Sequence, residues 1–418
     1  MRSSGRVTAL SLCVKGGDAM GLLYILSNSP GEVSGWMGPV TNAVAALRPG
    51  QRAVAVTLPC PYASGREGAH AGTMPGVERV MNFREAMRSA KEPGRSLVLQ
   101  LGGDPMYGWA LSAKLRVPWM MYTARPRWRG KVAHYFIPDG AARARFERAK
   151  VPQERYTVVG NLILDSVERP DAVALSAARE RYGGGCGNII AFMPGSRPFE
   201  YELGFGFYCE CAALVRARYA DWQAVLPVAP TVSEEILRAG LEKTGLAWRG
   251  DERVEEIILR DGGRVPLVRE GQYAAIAASS LAVAFPGTNN LQIASLGVPL
   301  LMIAPLNQAH NIPLDGLPGA LPREGAAAVA IKKKLVHWYN AKKEYVSLPN
   351  MLAGRALLPE RRELMTPESA CRYIAELIES PERRRRIAEG YAALDLRRGA
   401  SERIAREICG YFEGEYKF

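Results

Sequence analysis

What this chain of 418 residues lacks narrows its possibilities first. No run approaches the ~20 uninterrupted apolar residues that a membrane-crossing helix requires, although apolar residues make up 48% of the sequence. The seven cysteines, Cys13, Cys60, Cys186, Cys209, Cys211, Cys371 and Cys409, are odd in number and show no CxxC spacing. Neither a disulfide framework nor a zinc site is indicated, and a reducing cytoplasm fits. The four histidines, His70, His134, His310 and His337, form no HxxxH pair, which argues against a metal hydrolase. There is no GxSxG elbow, no GK[ST] phosphate loop and no GxGxxG followed by a distal acidic residue. No short-period repeat or low-complexity tract is visible.

What remains is a long, basic, mixed-composition chain. Its length exceeds what one core usually organises, so two domains are expected. Lys and Arg outnumber Asp and Glu by 54 to 42, a formal charge of +12, which favours acidic partners: nucleotide phosphates or an anionic membrane face. Basic residues are spread, with local runs at Lys332–Lys334 and Arg383–Arg386, and no nucleic-acid-binding motif accompanies them, so no nucleic-acid partner is expected. The first twenty residues carry Arg2, Arg6 and an apolar run from Val7 to Val14. That run is at the lower limit for a signal peptide and lacks a convincing cleavage site. The expectation is a start at Met20, opening the strand GLLYILS.

Apolar, β-rich runs recur at Leu22–Leu26, Ala53–Leu58, Leu97–Leu101, Trp119–Tyr122, Tyr135–Ile137 and Tyr156–Val159, with helical stretches between them. Continuous apolar strands alternating with helices predict a parallel sheet covered on both faces. A second set follows Pro170, at Ile189–Met193, Gln223–Pro227, Leu281–Ala284 and Leu300–Ile303, with helices over Cys209–Tyr219 and Ser233–Lys243. The turn after Gly160 and Pro170 mark residues 161–175 as the linker. From Pro367 onward, two or three charged amphipathic helices close the molecule.

Four loops follow predicted strands, where doubly wound sheets bind ligands. SNSPGEVSGWMGP, Ser27–Pro39, carries Gly31, Gly35 and Gly38, which permit tight turns and close ligand approach; packing turns of the same kind are common. GGDP places Asp104 where a general base could face a cleft, or where it simply caps the helix beginning at Pro105. FMPGSRPFEYE, Phe192–Glu202, offers Gly195, Ser196 and Arg197 as an anion site, since backbone N–H groups at a helix start and a guanidinium both suit a diphosphate; a surface Arg in a capping turn reads the same way. AFPGTNNLQIASLGVPLLMIAPLNQ, Ala284–Gln308, holds Thr288, Asn289 and Asn290, which can cap the next helix or hydrogen-bond a nucleotide.

The order of these loops, followed by YVSLPNMLAGRALLPE at Tyr345–Glu360, resembles the lipid-A-disaccharide synthase family. The last segment nearly reproduces that family's SLPN-x-LAGR-x-L-x-x-E signature. PGSR at Pro194–Arg197 matches its phosphate loop, and PGEVSG at Pro30–Gly35 resembles its GE-x-SGD loop. The resemblance implies an α/β GT-B fold, two Rossmann-like doubly wound parallel-sheet domains facing a cleft. Residues 20–165 would bind acceptor and 166–385 nucleotide sugar, with 386–418 as C-terminal helices crossing back. It implies an inverting transfer of 2,3-diacylglucosamine from UDP onto 2,3-diacylglucosamine 1-phosphate, without a metal or cofactor. Asp104 would be the general base and Arg197 would neutralise the leaving UDP. Glu32, Ser34 and Gly31 would line the cleft, as would Gly195, Ser196, Thr288 and Asn289, while Asn290, Gln292 and Asn350 would contact the donor.

The departures are specific. The family's Asp after GE-x-SG is Trp36 here, its SGT-x-x-LE reads PGTNNLQ so that Glu becomes Gln292, and its GH is Gly160-Asn161. A GGPxM-like segment of its acyl-chain and membrane-facing region is missing. Acceptor identity is therefore the least constrained part, and another UDP-sugar transferase, an epimerase or a non-catalytic nucleotide-sugar-binding protein stays open. Ala328–Val346, which mixes Val336, Trp338 and Tyr339 with five lysines, reads either as a membrane-surface helix or as a basic face beside a core helix. The expected location is the cytoplasm, with peripheral contact to the inner membrane.

Overall fold

A computed structural model describes residues 21–415 except 62, 184, 186, 308–329, 331–337 and 339–341. The start-site reading at Met20 and most of Ala328–Val346 lie outside the described residues.

The first half forms a seven-stranded sheet in the order β3-β2-β1-β4-β5-β6-β7. Its strands are β1 (Leu23–Ser27), β2 (Ala53–Thr57), β3 (Val77–Asn82), β4 (Leu97–Gln100), β5 (Trp119–Tyr122), β6 (His134–Ile137) and β7 (Tyr156–Val158). Every pairing is parallel. The side-chain period of two explains the unbroken apolar runs, because both faces are covered. Leu23 and Ile25 enter one buried cluster while Leu22, Tyr24 and Leu26 enter another across the sheet. β3 escaped the sequence reading, since VERVMN is an edge strand whose residues are mostly exposed.

The second half forms an eight-stranded sheet in the order β10-β11-β12-β9-β8-β13-β14-β15. Its strands are β8 (Asn188–Met193), β9 (Trp222–Pro227), β10 (Ala247–Arg249), β11 (Glu256–Ile258), β12 (Arg264–Val268), β13 (Leu281–Ala284), β14 (Leu300–Pro305) and β15 (Glu360–Glu363). This sheet is not a pure copy of the first, because β10-β11-β12 run antiparallel to one another. The connections between them are too short for the dozen or more residues that a parallel crossover needs.

In each sheet the strand order reverses once among its parallel strands, between β1 and β4 in the first and between β8 and β13 in the second. Those are the switch points at which such sheets open a crevice beyond their strand ends. The four motif loops follow β1, β4, β8 and β13, so they are the two pairs of loops at the two switch points.

The C-terminal helices divide between the sheets. Pro367–Ile378 and Pro381–Gly390 bury Ala370, Ile374, Leu377 and Ile387 in the core of the second sheet. The chain then crosses back, and Ala400–Glu413 buries Ala400, Ile404, Ala405, Ile408 and Tyr411 against the first. No helix of the described residues is long and apolar enough to cross a membrane.

Candidate functional site

A cavity of about 560 Å³ opens between the two sheets, within the range of small-molecule sites. Glu32, Ser34 and Gly31 line it from the loop after β1. Gly195, Ser196 and Arg197 line it from the loop after β8, and Thr288, Asn289 and Gln292 from the loop after β13. The walls meet closely: a Cβ placed on Gly31 would lie 3.5 Å from Oγ1 of Thr288.

The β1 loop begins a helix at Ser29, whose hydroxyl accepts from the Glu32 N–H at 3.3 Å. The helix widens into a π-turn over Val33–Met37 before resuming as Gly38–Leu47; such bulges recur at functional sites. Ser34 donates its hydroxyl hydrogen to the Pro30 carbonyl at 2.6 Å. The Glu32 carboxylate keeps one oxygen, Oε2, buried without a hydrogen-bond partner. Burial pushes this acid up to about 7, with the N–H groups of Ser29 and Asn28 and the Arg197 charge pulling the other way. An acid balanced near neutrality is suited to taking or giving a proton.

The anion site at the β8 loop is organised differently from the sequence expectation. Arg197 stands at the N-cap of helix Pro198–Arg218 and lines the cavity. The backbone N–H groups of Ser196 and Arg197, however, both donate to Oε2 of Glu200, at 2.8 and 2.9 Å. An internal carboxylate therefore occupies the helix start that was expected to be exposed. Burial raises the pKa of Glu200, and Gly195 is required beside it, because a Cβ there would sit 2.1 Å from Glu200 Oε2.

Three expected site residues are placed elsewhere. Asp104 is exposed, does not line the cavity, and its side chain accepts from the Met106 N–H at 2.8 Å, capping helix Pro105–Leu115. The capping role that the sequence allowed is present. Asn290 is fully buried and braces the turn by donating to the Phe285 carbonyl at 3.0 Å. Asn350 is 1% exposed and all its hydrogen-bonding capacity is spent internally. Its Nδ2 donates to Leu358 O and Glu360 Oε1 at 3.0 and 2.9 Å, and its Oδ1 accepts from the N–H groups of Leu357 and Leu358 at 2.7 and 3.0 Å. With Ser347 also donating to Glu360, the SLPN segment is tied to β15 by side-chain hydrogen bonds. Thr288 occupies an N-cap position but makes no side-chain cap bond.

The departures find their partners here. Trp36 packs with Ile163, Leu164 and Leu291 at the linker and meets Tyr122 edge-on at 5.4 Å. Gln292 donates to Ser166 Oγ and Tyr273 Oη, each at 3.2 Å. Ser166, Tyr273, Gln272, Phe285 and His70 also line the cavity. Sequence reading did not select them: Phe285 lies in the fourth motif loop but carries no polar group to single it out, and the others come from the linker and from helices with no motif. Among the described residues no group of three His, Cys, Asp or Glu side chains is placed to hold a metal ion.

Two parallel-dominated sheets with a cavity at their switch points define a GT-B-type α/β protein. The solved structures agree at the level of fold. UDP-GlcNAc 2-epimerase from Neisseria meningitidis, bound to UDP-GlcNAc, is 13% identical with a TM-score of 0.53, over 93% of this chain and 99% of that one. The S. aureus MnaA–UDP co-structure is 14% identical with a TM-score of 0.56, over 94% and 97%.

By sequence the chain is related to the lipid-A-disaccharide synthase family. It is 30% identical over 290 residues to the synthase of Thiobacillus denitrificans, covering 68% of this chain and 64% of that protein. It is 26% identical to the synthase of Syntrophus aciditrophicus over 59% and 55%, and 26% identical to that of Myxococcus xanthus over 80% of each. The matched stretch thus spans between about half and two thirds of the first two relatives. No family model matches the chain.

Proposed function

We propose that this protein is an inverting, metal-independent glycosyltransferase. It would move 2,3-diacylglucosamine from UDP to the 6-hydroxyl of 2,3-diacylglucosamine 1-phosphate, as expected of a lipid-A-disaccharide synthase. The observation that carries this reading is the pairing, across one cavity, of a carboxyl group titrating near neutrality, Glu32, with a guanidinium, Arg197, in a chain related to synthases. The neighbours crystallised with UDP and UDP-GlcNAc support a nucleotide-sugar donor on this fold.

In this reading the acceptor hydroxyl attacks the anomeric carbon as the bond to UDP breaks. The hydroxyl proton passes to a carboxylate, and Arg197 stabilises the diphosphate that leaves. Glu32 is the better-placed base, because it lines the cavity and Asp104 caps a helix beside it. In this reading residues 20–165 hold the acceptor and residues 166–385 the donor. Trp36 and Gln292, both uncharged where the family has acids, favour a second reading in which a different UDP-sugar is bound or converted.

Mass spectrometry of the purified protein with UDP-2,3-diacylglucosamine and 2,3-diacylglucosamine 1-phosphate tests the proposal. A tetra-acylated disaccharide phosphate with UDP release, lost in Glu32→Gln and Arg197→Ala, is expected. Intact UDP binding without product would move the function to another acceptor, and an epimerised UDP-sugar would establish the second reading.

A further inference from the structure

We infer that the far end of the cavity, where His70 stands with Asn42 and Thr73, is a subsite for an uncharged hydrogen-bonding group of the acceptor sugar, its acylamide or a hydroxyl. The inference rests on the reading above in that the first sheet's wall of the cavity holds the acceptor.

The cavity follows one face of a helix. Gly31, Gly35, Gly38 and Asn42 all line it, at spacings of four, three and four residues, which places them on one side of the helical stretch from Pro30 to Leu47. From Gly31 to Asn42 this face extends about 16 Å at ~1.5 Å per residue. At one end a Cβ on Gly31 would lie 3.5 Å from Thr288 Oγ1, on the wall of the second sheet. At the other a Cβ on Gly38 would lie 3.6 Å from Cε of Met74, and the segment from His70 to Pro75 contributes the wall. Glu32 is next to the first end and feels the charge of Arg197. Bond making belongs at that end, which leaves the far end to read another part of the acceptor.

The His70 segment is held in place before any ligand arrives. Glu67, 5% exposed, accepts from the N–H and hydroxyl of Ser64 at 2.6 and 3.0 Å and from the N–H of Gly65 at 3.0 Å. These bonds fix the entry to helix Glu67–Ala71. Ala71 and Met74 join Val33 and Met37 in one buried cluster, and the Thr73 hydroxyl donates to the His70 carbonyl at 2.8 Å. Backbone and neighbours are thus anchored, while the half-buried His70 ring has no hydrogen-bond partner for either nitrogen among the described residues. Polar groups withdrawn from water are normally paired, so the ring is equipped to pair with what enters the cavity.

Charge selects the chemical class. Burial lowers the pKa of His70, with no charged neighbour contributing, so at pH 7 the ring is neutral and offers one N–H to donate and one lone pair to accept. Asn42 and Thr73 add an uncharged amide and hydroxyl, and Met74 and Pro75 add apolar surface for the C–H face of a sugar. A phosphate finds no cation there. Among the described residues the cationic side chain of the lining is Arg197, on the opposite wall, and Glu32, Asp165 and Glu200 are carboxylates. An amide or hydroxyl, which both donates and accepts, matches the two functions of the neutral ring.

The test is proton NMR of the full chain with UDP present. Its four histidines give ring signals, and the one missing from His70→Gln belongs to His70. N-acetylglucosamine 1-phosphate should move that signal and inorganic phosphate should not. Movement with glucose 1-phosphate as well identifies a hydroxyl as the group read, and its absence identifies the acylamide. A signal that responds to inorganic phosphate, or to neither sugar phosphate, overturns the inference. In transfer assays His70→Ala should raise the acceptor KM about five- to tenfold, the size of one lost neutral hydrogen bond, with kcat within about twofold and UDP binding unchanged. His70→Gln, which keeps an N–H donor, should recover part of the loss. A purely structural role for the ring would instead lower the unfolding temperature and weaken UDP binding together. Gly38→Leu reaches the same end without touching His70: Gly38 has helical φ of −56°, so the side chain is accommodated by the backbone, narrows the far end and should also raise the acceptor KM. An unchanged KM in both His70→Ala and Gly38→Leu, with disaccharide still formed, removes the subsite and leaves the synthase reading. A sugar-dependent His70 signal in a protein that forms no disaccharide leaves the subsite standing and removes that reading.

Discussion

The carboxylate of Glu32 lies directly over the backbone of Gly102: a Cβ built at position 102 would come within 2.0 Å of Glu32 Oε2 and 2.5 Å of its carboxyl carbon. The loops after β1 and β4 therefore fit together only because residue 102 has no side chain. Gly102→Ala should swing Glu32 out of its buried position and lower turnover by ~100-fold, the size of loss expected when a general base is misplaced. UDP binding, which the proposed function places on the second sheet, should be nearly unchanged. Steady-state kinetics and calorimetric titration with UDP check this. Full activity in Gly102→Ala would remove Glu32 from the chemistry.

Glu32 also has a pH signature. Its proton dissociates near 7 in the folded protein, against an ordinary value of 4.5. As a base it works only when ionised, so turnover should rise through pH 7, and Glu32→Gln should remove both the activity and that limb of the profile. For stability the sign is opposite. The raised folded pKa means that protonated Glu32 is the favoured folded form. Its contribution is fully present below pH 4.5 and is lost as pH rises through about 7. Each pKa unit corresponds to about 1.36 kcal/mol, so Glu32→Gln should stabilise the fold at pH 8 by up to about 3 kcal/mol, with no gain below pH 4.5. Urea unfolding at the two pH values measures the difference.

The interior of the fold was legible in the sequence and its margins were not. Trp119–Tyr122 and Leu281–Ala284 were read to the residue because continuous burial makes a strand uniformly apolar. The β3, β10 and β15 strands, VERVMN, AWR and ERRE, are edge strands that are short or charged, which hides any strand pattern. The same logic holds at the site. Glycine and proline punctuation located the four loops, because switch-point turns need it. Composition could not say where each side chain would point. Asn350 belongs to the most family-specific segment, yet it turns inward to bind Glu360 and the backbone of Leu357 and Leu358. His70 and Tyr273 reach the cavity from elements without any motif, so only the assembled fold selects them.

The phosphate loop makes a prediction of its own. Glu200 accepts the N–H groups of Ser196 and Arg197, so a diphosphate at this helix start meets a carboxylate already there. Glu200→Gln keeps an oxygen to accept those bonds and removes the competing charge; UDP should bind several-fold tighter, a gain that fades with salt. Glu200→Ala leaves both N–H groups without their partner and should destabilise the fold by about 1–3 kcal/mol. Weaker UDP binding in Glu200→Gln would mean that the charge itself organises Arg197.

Asp165 ties the linker to the returning helix. Its Oδ1 accepts the Gly399 N–H at 2.7 Å, and its Oδ2 accepts the N–H and the hydroxyl of Ser401 at 2.6 and 2.7 Å. Three bonds to one ionised group fix the start of helix Ala400–Glu413, whose apolar face covers the first sheet. The linker residue thereby sets how the chain passes from one sheet back to the other, beside a cavity that Asp165 itself lines. Hydrogen bonds to charged groups contribute about 1.5–3 kcal/mol each where fully buried; with Asp165 only half-buried, Asp165→Ala should cost about 2–4 kcal/mol in total. Hydrogen exchange should rise first at Ala400–Ile404 and hardly at all in Pro367–Ile378, which packs on the second sheet. Asp165→Asn retains an acceptor for one or two of the bonds and should lose less. Equal exchange in both helices would show that packing alone holds Ala400–Glu413, and that the Asp165–Ser401 contact follows from the crossover without causing it.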